Sequence, residues 1–159
     1  MKILFVCLGN ICRSPAAEGI MNTLLSREGL LERVQCDSAG TSAYHEGEPA
    51  DARMISYARS RGHELTSLSR PFLAPQDFEN FNYILTMDAS NHRNVIALDK
   101  QNQYGHKVMP MVRFCQNHNV SEVPDPYYDT EDGFRLVLDI LEDACTGLLH
   151  KIKSEIKNE

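Results

Sequence analysis

The chain is short of several things, and each shortage excludes a class of function. No apolar run is long enough to cross a bilayer. The first one, Ile3-Leu4-Phe5-Val6, gives way at Gly9-Asn10, too soon for a secretory core followed by a cleavage site. Positive charge is scarce. Sixteen Lys and Arg against 22 Asp and Glu leave a net charge of −6, which argues against a general nucleic-acid or membrane-surface binder. The five cysteines, Cys7, Cys12, Cys36, Cys115 and Cys145, are odd in number and scattered. They fit an intracellular thiol protein better than a cross-linked secreted one, so a cytoplasmic location is expected. The six His residues have no metal-ligand spacing, and neither a metal nor a cofactor is expected. No repeat, low-complexity tract or linker breaks the chain. Its 159 residues therefore predict one domain spanning 1–159. Such a chain can bury ~70% of the surface it would expose unfolded.

What is present is a loop in a telling place. Cys7-Leu8-Gly9-Asn10-Ile11-Cys12-Arg13-Ser14-Pro15 follows an apolar strand, residues 2–7, and opens a helix. Successive N–H groups in so tight a loop can point inward as an anion-binding nest. The helix N-terminus adds its positive dipole end. Arg13 adds a planar fork matching two phosphate oxygens. A cysteine at the rim of such a nest should exist largely as thiolate, a nucleophile facing phosphorus.

Apolar periodicity predicts alternating strands and helices. The helix after Pro15 should run to about Glu28, burying Ala16, Ile20, Leu24 and Leu25. A second strand should span Val34 to Asp37, ended by a Ser38-Ala39-Gly40 turn. A second helix is expected from Ala50 to Arg61, a third strand from Tyr83 to Met87 and a third main helix from Ala89 to Leu98. A fourth strand is expected from Lys107 to Met111, then a helical turn near Arg113 to Asn117. A long helix should follow from about Glu131, burying Phe134, Val137, Leu138, Leu141, Leu148 and Ile152. This order predicts a single-domain, flavodoxin-like three-layer α/β fold, with a central four-stranded parallel sheet flanked by helices. Such sheets bind ligands at the carboxyl ends of their strands. The Cys7 loop, Asp88 and Asp125 should then share one edge.

With those residues in place, the chain resembles the low-molecular-weight protein tyrosine phosphatases. The likeness extends to Asp37-Ser38-Ala39-Gly40-Thr41-Ser42, Tyr83-Ile84-Leu85-Thr86-Met87-Asp88 and Val123-Pro124-Asp125-Pro126-Tyr127-Tyr128, in the family's order and spacing. The resemblance implies hydrolysis of phosphotyrosine and small aryl phosphates through a phosphocysteine. Cys7 would be nucleophile, Arg13 the oxyanion clamp and Asp125 the general acid, with Leu8 through Ser14 holding phosphate. Ser14 would hydrogen-bond the Cys7 thiolate, besides being an ordinary helix-start residue. Asn10 would adopt a strained conformation and hold the loop open. Animal members often place a His near Ser67, so the resemblance leaves the partner of Asn10 open. Asp88 reads equally as a helix cap or as a second carboxylate coupled to the first.

Tyr44, Tyr127 and Tyr128 should wall a deep pocket, with Leu8 and Ile11 as its apolar floor and rim. Cys12 would trap oxidised Cys7 as a disulfide. The implied partners are tyrosine-phosphorylated proteins, among them a tyrosine kinase, with no nucleic acid or membrane, and the protein would be a monomer or weak dimer.

Three other readings compete. Arsenate reduction on this scaffold needs relay thiols, and no Cys lies between Cys36 and Cys115. Protein-arginine phosphatases of this type carry Thr where this chain has Ile11. A redox-sensing or phosphate-binding module would use Cys7 and Cys12, but an intact Cys7, Arg13 and Asp125 together argue against a binder without catalysis.

Overall fold

The computed structural model describes residues 1–159. Four strands form one parallel sheet: β1 (Lys2–Cys7), β2 (Gln35–Gly40), β3 (Tyr83–Thr86) and β4 (Val108–Pro110), in the order β2-β1-β3-β4. Five helices accompany them: α1 (Arg13–Arg27), α2 (Ala52–Ser60), α3 (Gln76–Asn80) and α4 (Ala89–Leu98) between strands, and α5 (Glu131–Lys157) after the last. This is the expected three-layer α/β architecture.

β1 is apolar without alternation because it is central and covered on both faces. Ile3 and Phe5 enter one core with Ile20 of α1 and Leu138 of α5. Leu4 and Val6 enter a second core with Phe78 of α3 and Val95 of α4. α5 buries Phe134, Val137, Leu138, Leu141, Leu148 and Ile152, the predicted stripe at helical spacing. In α1 the stripe is shifted: Ala17 and Met21 are buried beside Ala16, Ile20 and Leu25, and Leu24 is only partly covered.

Several boundaries move. Ser38-Ala39-Gly40 is the end of β2 rather than a turn, with Ala39 and Gly40 paired to Val6 and Cys7. Gly40 is required there, since a Cβ would lie 2.8 Å from the Leu8 carbonyl oxygen. α1 starts at Arg13, two residues before Pro15, which still sits in the first turn where its missing N–H costs nothing. α2 starts at Ala52, because the Asp51 side chain accepts the Arg53 N–H as a cap. β4 stops at Pro110, and the turn that follows is a 3₁₀ turn at Met111–Phe114. The short α3 went unforeseen; five residues are too few to show a helical period. No helix is long and apolar enough to cross a membrane.

Candidate active site

β1 ends at Cys7, and α1 begins six residues later at Arg13. The chain between them turns back over the carboxyl edge of the sheet. Asn10 adopts φ 56°, a left-handed conformation that Asn tolerates better than most residues. Its side chain is held at both ends. Oδ1 accepts the backbone N–H of Arg70 at 3.0 Å, and Nδ2 donates to Ser14 Oγ at 2.8 Å. Arg70 is itself fixed by Asp37 and Asp77 at 2.9 Å each. The partner of Asn10 is therefore a backbone group rather than a side chain at position 67. His63 lies elsewhere, buried against Thr23.

Ser14 Oγ lies 3.0 Å from Cys7 Sγ. It already accepts from Asn10, so its own hydrogen is free to point at sulfur. The N–H groups of Leu8, Gly9, Asn10, Ile11, Cys12, Arg13 and Ser14 donate to no acceptor in the protein. Yet residues 10–14 are buried. Buried N–H groups ordinarily find partners; five of these seven belong to buried residues, and such a run around one thiol is an arrangement that can take up an anion.

Arg13 is fully buried beneath this loop. Its Nη1 donates to Asp88 Oδ2 at 2.6 Å and to the Val123 carbonyl at 3.1 Å. Burial opposes its charge, but the charge of Cys7 and the bonds to Asp88 and Asp125 outweigh that, and its pKa is raised. Asp88 caps α4 through Oδ1, which accepts the Asn91 N–H at 2.8 Å, while Oδ2 orients Arg13. The capping role was legible in the sequence; the grip on Arg13 was not.

Asp125 Oδ2 lies 3.5 Å from Arg13 Nη2, and Oδ1 accepts the Tyr127 N–H at 3.1 Å. Its side chain is 42% exposed, so it can meet both a substrate and water. Cys12 is buried, and its thiol is pushed well up by burial, then by Asp51 and Cys7. It stays protonated beside Cys7.

A pocket of about 430 Å³ opens over Cys7 and Arg13. Leu8, Ile11, Tyr44, Tyr127 and Tyr128, the residues expected to wall a pocket, line it together with Asp125. His45, not foreseen, is also in its wall. The His45 ring packs on the loop so closely that a Cβ at Gly9 would lie 3.0 Å from Cδ2. His45 Nδ1 is 2.7 Å from Glu48 Oε2. A cavity of about 500 Å³ between Ala74–Glu79 and Leu98–Tyr104 is larger but has neither nucleophile nor arginine.

The family model described as low molecular weight phosphotyrosine protein phosphatase matches residues 2–158. A relative in Synechocystis sp. is 49% identical over 158 residues, covering 99% of this chain and 100% of its own. The crystal structure of a protein tyrosine phosphatase from Entamoeba histolytica aligns with a TM-score of 0.94 at 50% identity, covering 98% of each chain. A Drosophila arginine phosphatase aligns with a TM-score of 0.88 at 29% identity, covering 96% of this chain and 98% of its own.

Proposed function

The chain belongs to the low molecular weight phosphotyrosine protein phosphatase family, and from that premise we propose that Cys7, Arg13 and Asp125 hydrolyse phosphotyrosine through a phosphocysteine. The enzyme is a protein tyrosine phosphatase, a phosphoric monoester hydrolase acting on phosphorylated proteins. The Cys7 thiolate attacks phosphorus in line with the tyrosyl oxygen. Arg13 and the loop N–H groups bind the three equatorial oxygens, where charge gathers in the transition state. Asp125 gives its proton to the leaving oxygen. It then takes one from the water that releases phosphate from sulfur, returning Cys7 to thiolate. Ser14 steadies the thiolate between turnovers.

The observation that carries this reading is the run of seven unshared N–H groups around Cys7. The aromatic walls support a flat, deep-reaching substrate such as phosphotyrosine over the shorter phosphoserine. Ile11 has no hydroxyl, which favours tyrosine over the arginine-directed chemistry of the Drosophila relative. A whole-chain single domain acting as a cytoplasmic monomer or weak dimer fits this role, with tyrosine-phosphorylated proteins, a kinase among them, as partners. When peroxide oxidises Cys7 to a sulfenic acid, the Cys12 thiol displaces hydroxide from it, giving a disulfide and water. The test is Cys7→Ser assayed on an aryl phosphate, with inorganic phosphate binding measured by calorimetry. Turnover should vanish while phosphate still binds; activity above a trace would remove Cys7 as nucleophile.

A further inference from the structure

Asp51 and Arg53 have no part in the chemistry above, yet together they touch both loops that carry it. The Asp51 backbone N–H donates to the Ile11 carbonyl, within the phosphate loop, at 2.8 Å. Its carboxylate grips the Arg53 guanidinium twice, at 3.1 Å from Nε and 2.8 Å from Nη2. Arg53 Nη2 also donates to the Tyr127 carbonyl at 2.9 Å. The N–H of that same Tyr127 holds Asp125 Oδ1 at 3.1 Å. The guanidinium is flattened over Phe134, 4.7 Å from its centroid, and near Tyr127, at 5.6 Å. A continuous path thus runs from Ile11 through Asp51, Arg53 and Tyr127 to Asp125.

We propose that the Asp51–Arg53 pair is a strut that sets the reach of Asp125 toward the leaving-group oxygen, making Arg53 a positioning residue for the acid. The inference rests on the reading of Asp125 given above. From Pro124 to Asp129 the backbone receives one hydrogen bond from another part of the chain, and it comes from Arg53. Pro124 and Pro126 fix the backbone torsions on either side of Asp125. A stiff segment pinned at one point moves as a body when the pin is removed. The other hold on Asp125, the 3.5 Å contact with Arg13, is too long to replace it. Arg53 is about half exposed, and exposed ion pairs contribute little to stability. Its conformation is over-determined, by two carboxylate oxygens, a carbonyl and two rings, far beyond what a surface residue needs for folding.

Removing the strut should therefore damage protonation of the leaving group more than the fold. The experiment measures kcat/KM over aryl phosphates whose phenols span a range of acidity. Four proteins join the parent: Arg53→Ala, Arg53→Lys, Asp125→Asn and the Arg53→Ala/Asp125→Asn double variant, each with its melting temperature. For the least acidic phenol Arg53→Ala should lose about 10- to 100-fold, the scale of an ångström-sized misplacement. The loss should shrink toward about threefold or less for the most acidic phenol, which leaves without a proton. Arg53→Lys keeps a donor for Tyr127 but not the double grip on Asp51, and should fall between. In the Asp125→Asn background, loss of Arg53 should add no further dependence on phenol acidity. A uniform loss across the series, or losses that simply add, would overturn the strut. A flat series for Asp125→Asn alone would instead remove Asp125 as the acid, and the strut with it. If Arg53→Ala melts below the assay temperature, Arg53→Lys carries the same comparison.

Discussion

After the turn that follows β4, three successive N–H groups, of Gln116, Asn117 and His118, point at the Asp143 carboxylate from 2.9, 2.9 and 2.8 Å. The His118 ring adds a fourth contact at 2.8 Å. After β1, the N–H groups of Leu8 through Ser14 point at no acceptor in the chain. The two constructions use the same backbone chemistry. One is filled by a carboxylate from α5 and becomes a joint between a loop and a helix. The other has no acceptor within the chain and, on the function proposed above, is filled from outside. Burial pushes the Asp143 carboxyl up, but the Gln116 N–H, the His118 ring and the N–H groups of Asn117 and His118 outweigh it, and its pKa falls to about 2. A nest does not by itself signal function. What distinguishes the open one is the want of an internal acceptor, together with a thiol within it and a guanidinium beneath it.

The contrast can be broken most severely at the open nest. Arg13→Lys replaces a fork with a point charge and strands Asp88 and the Val123 carbonyl. Steady-state assays with an aryl phosphate should show kcat reduced by about 10²- to 10³-fold, the usual cost of a lost transition-state donor. A loss under tenfold would show that the N–H groups suffice alone.

At the filled nest the effect should fall on stability instead. Asp143→Asn should lower unfolding free energy at pH 7 by about 2 kcal/mol, the equivalent of the lowered pKa. The folded pKa lies below the unfolded one, so the stabilisation is full above about pH 5 and fades as pH falls toward 2. Denaturant titrations of parent and variant should therefore converge in acid, while kcat/KM at neutral pH stays unchanged. A gap independent of pH would mean the carboxylate charge is not what the nest holds.

The smallest effect on basal turnover is expected from Cys12→Ser, which alters the lining of the open nest without touching phosphoryl transfer. Activity should stay within about threefold of the parent, since hydroxyl and thiol are close in size. After peroxide, however, the parent should recover with reductant and the variant should not, because Cys7 would continue up the oxidation ladder. Full recovery by Cys12→Ser would leave Cys12 no redox role beyond that of a small buried side chain.

How much of this was legible beforehand follows from sequence distance. β1, the loop from Cys7 to Ser14 and the stripe of α5 are local patterns, and the sequence displays them directly. Asp125 and its two Tyr neighbours likewise form one short motif. The brace on Asn10 is a backbone N–H sixty residues away, and no residue type announces a backbone donor. The same holds for the Asp143 cage, whose donors lie 25 to 27 residues upstream of it, and for the Arg53 contact with the Tyr127 carbonyl. In β2, Ala39 and Gly40 look like a turn in the sequence; only their pairing with Val6 and Cys7 makes them strand. Residue identity revealed which groups could react, and the fold decided which groups hold them in place.

The open nest also couples catalysis to folding. It exists only after β1 has paired with β2 and β3, so the unfolded chain offers an oxyanion nothing comparable. Any tetrahedral anion that occupies it must therefore raise the unfolding free energy, by about 2.7 kcal/mol at a hundred times its dissociation constant. Phosphate, as the product of the proposed reaction, would both compete with substrate for the nest and protect the chain from unfolding. The protein should be hardest to unfold, and to digest, when it is least able to turn over.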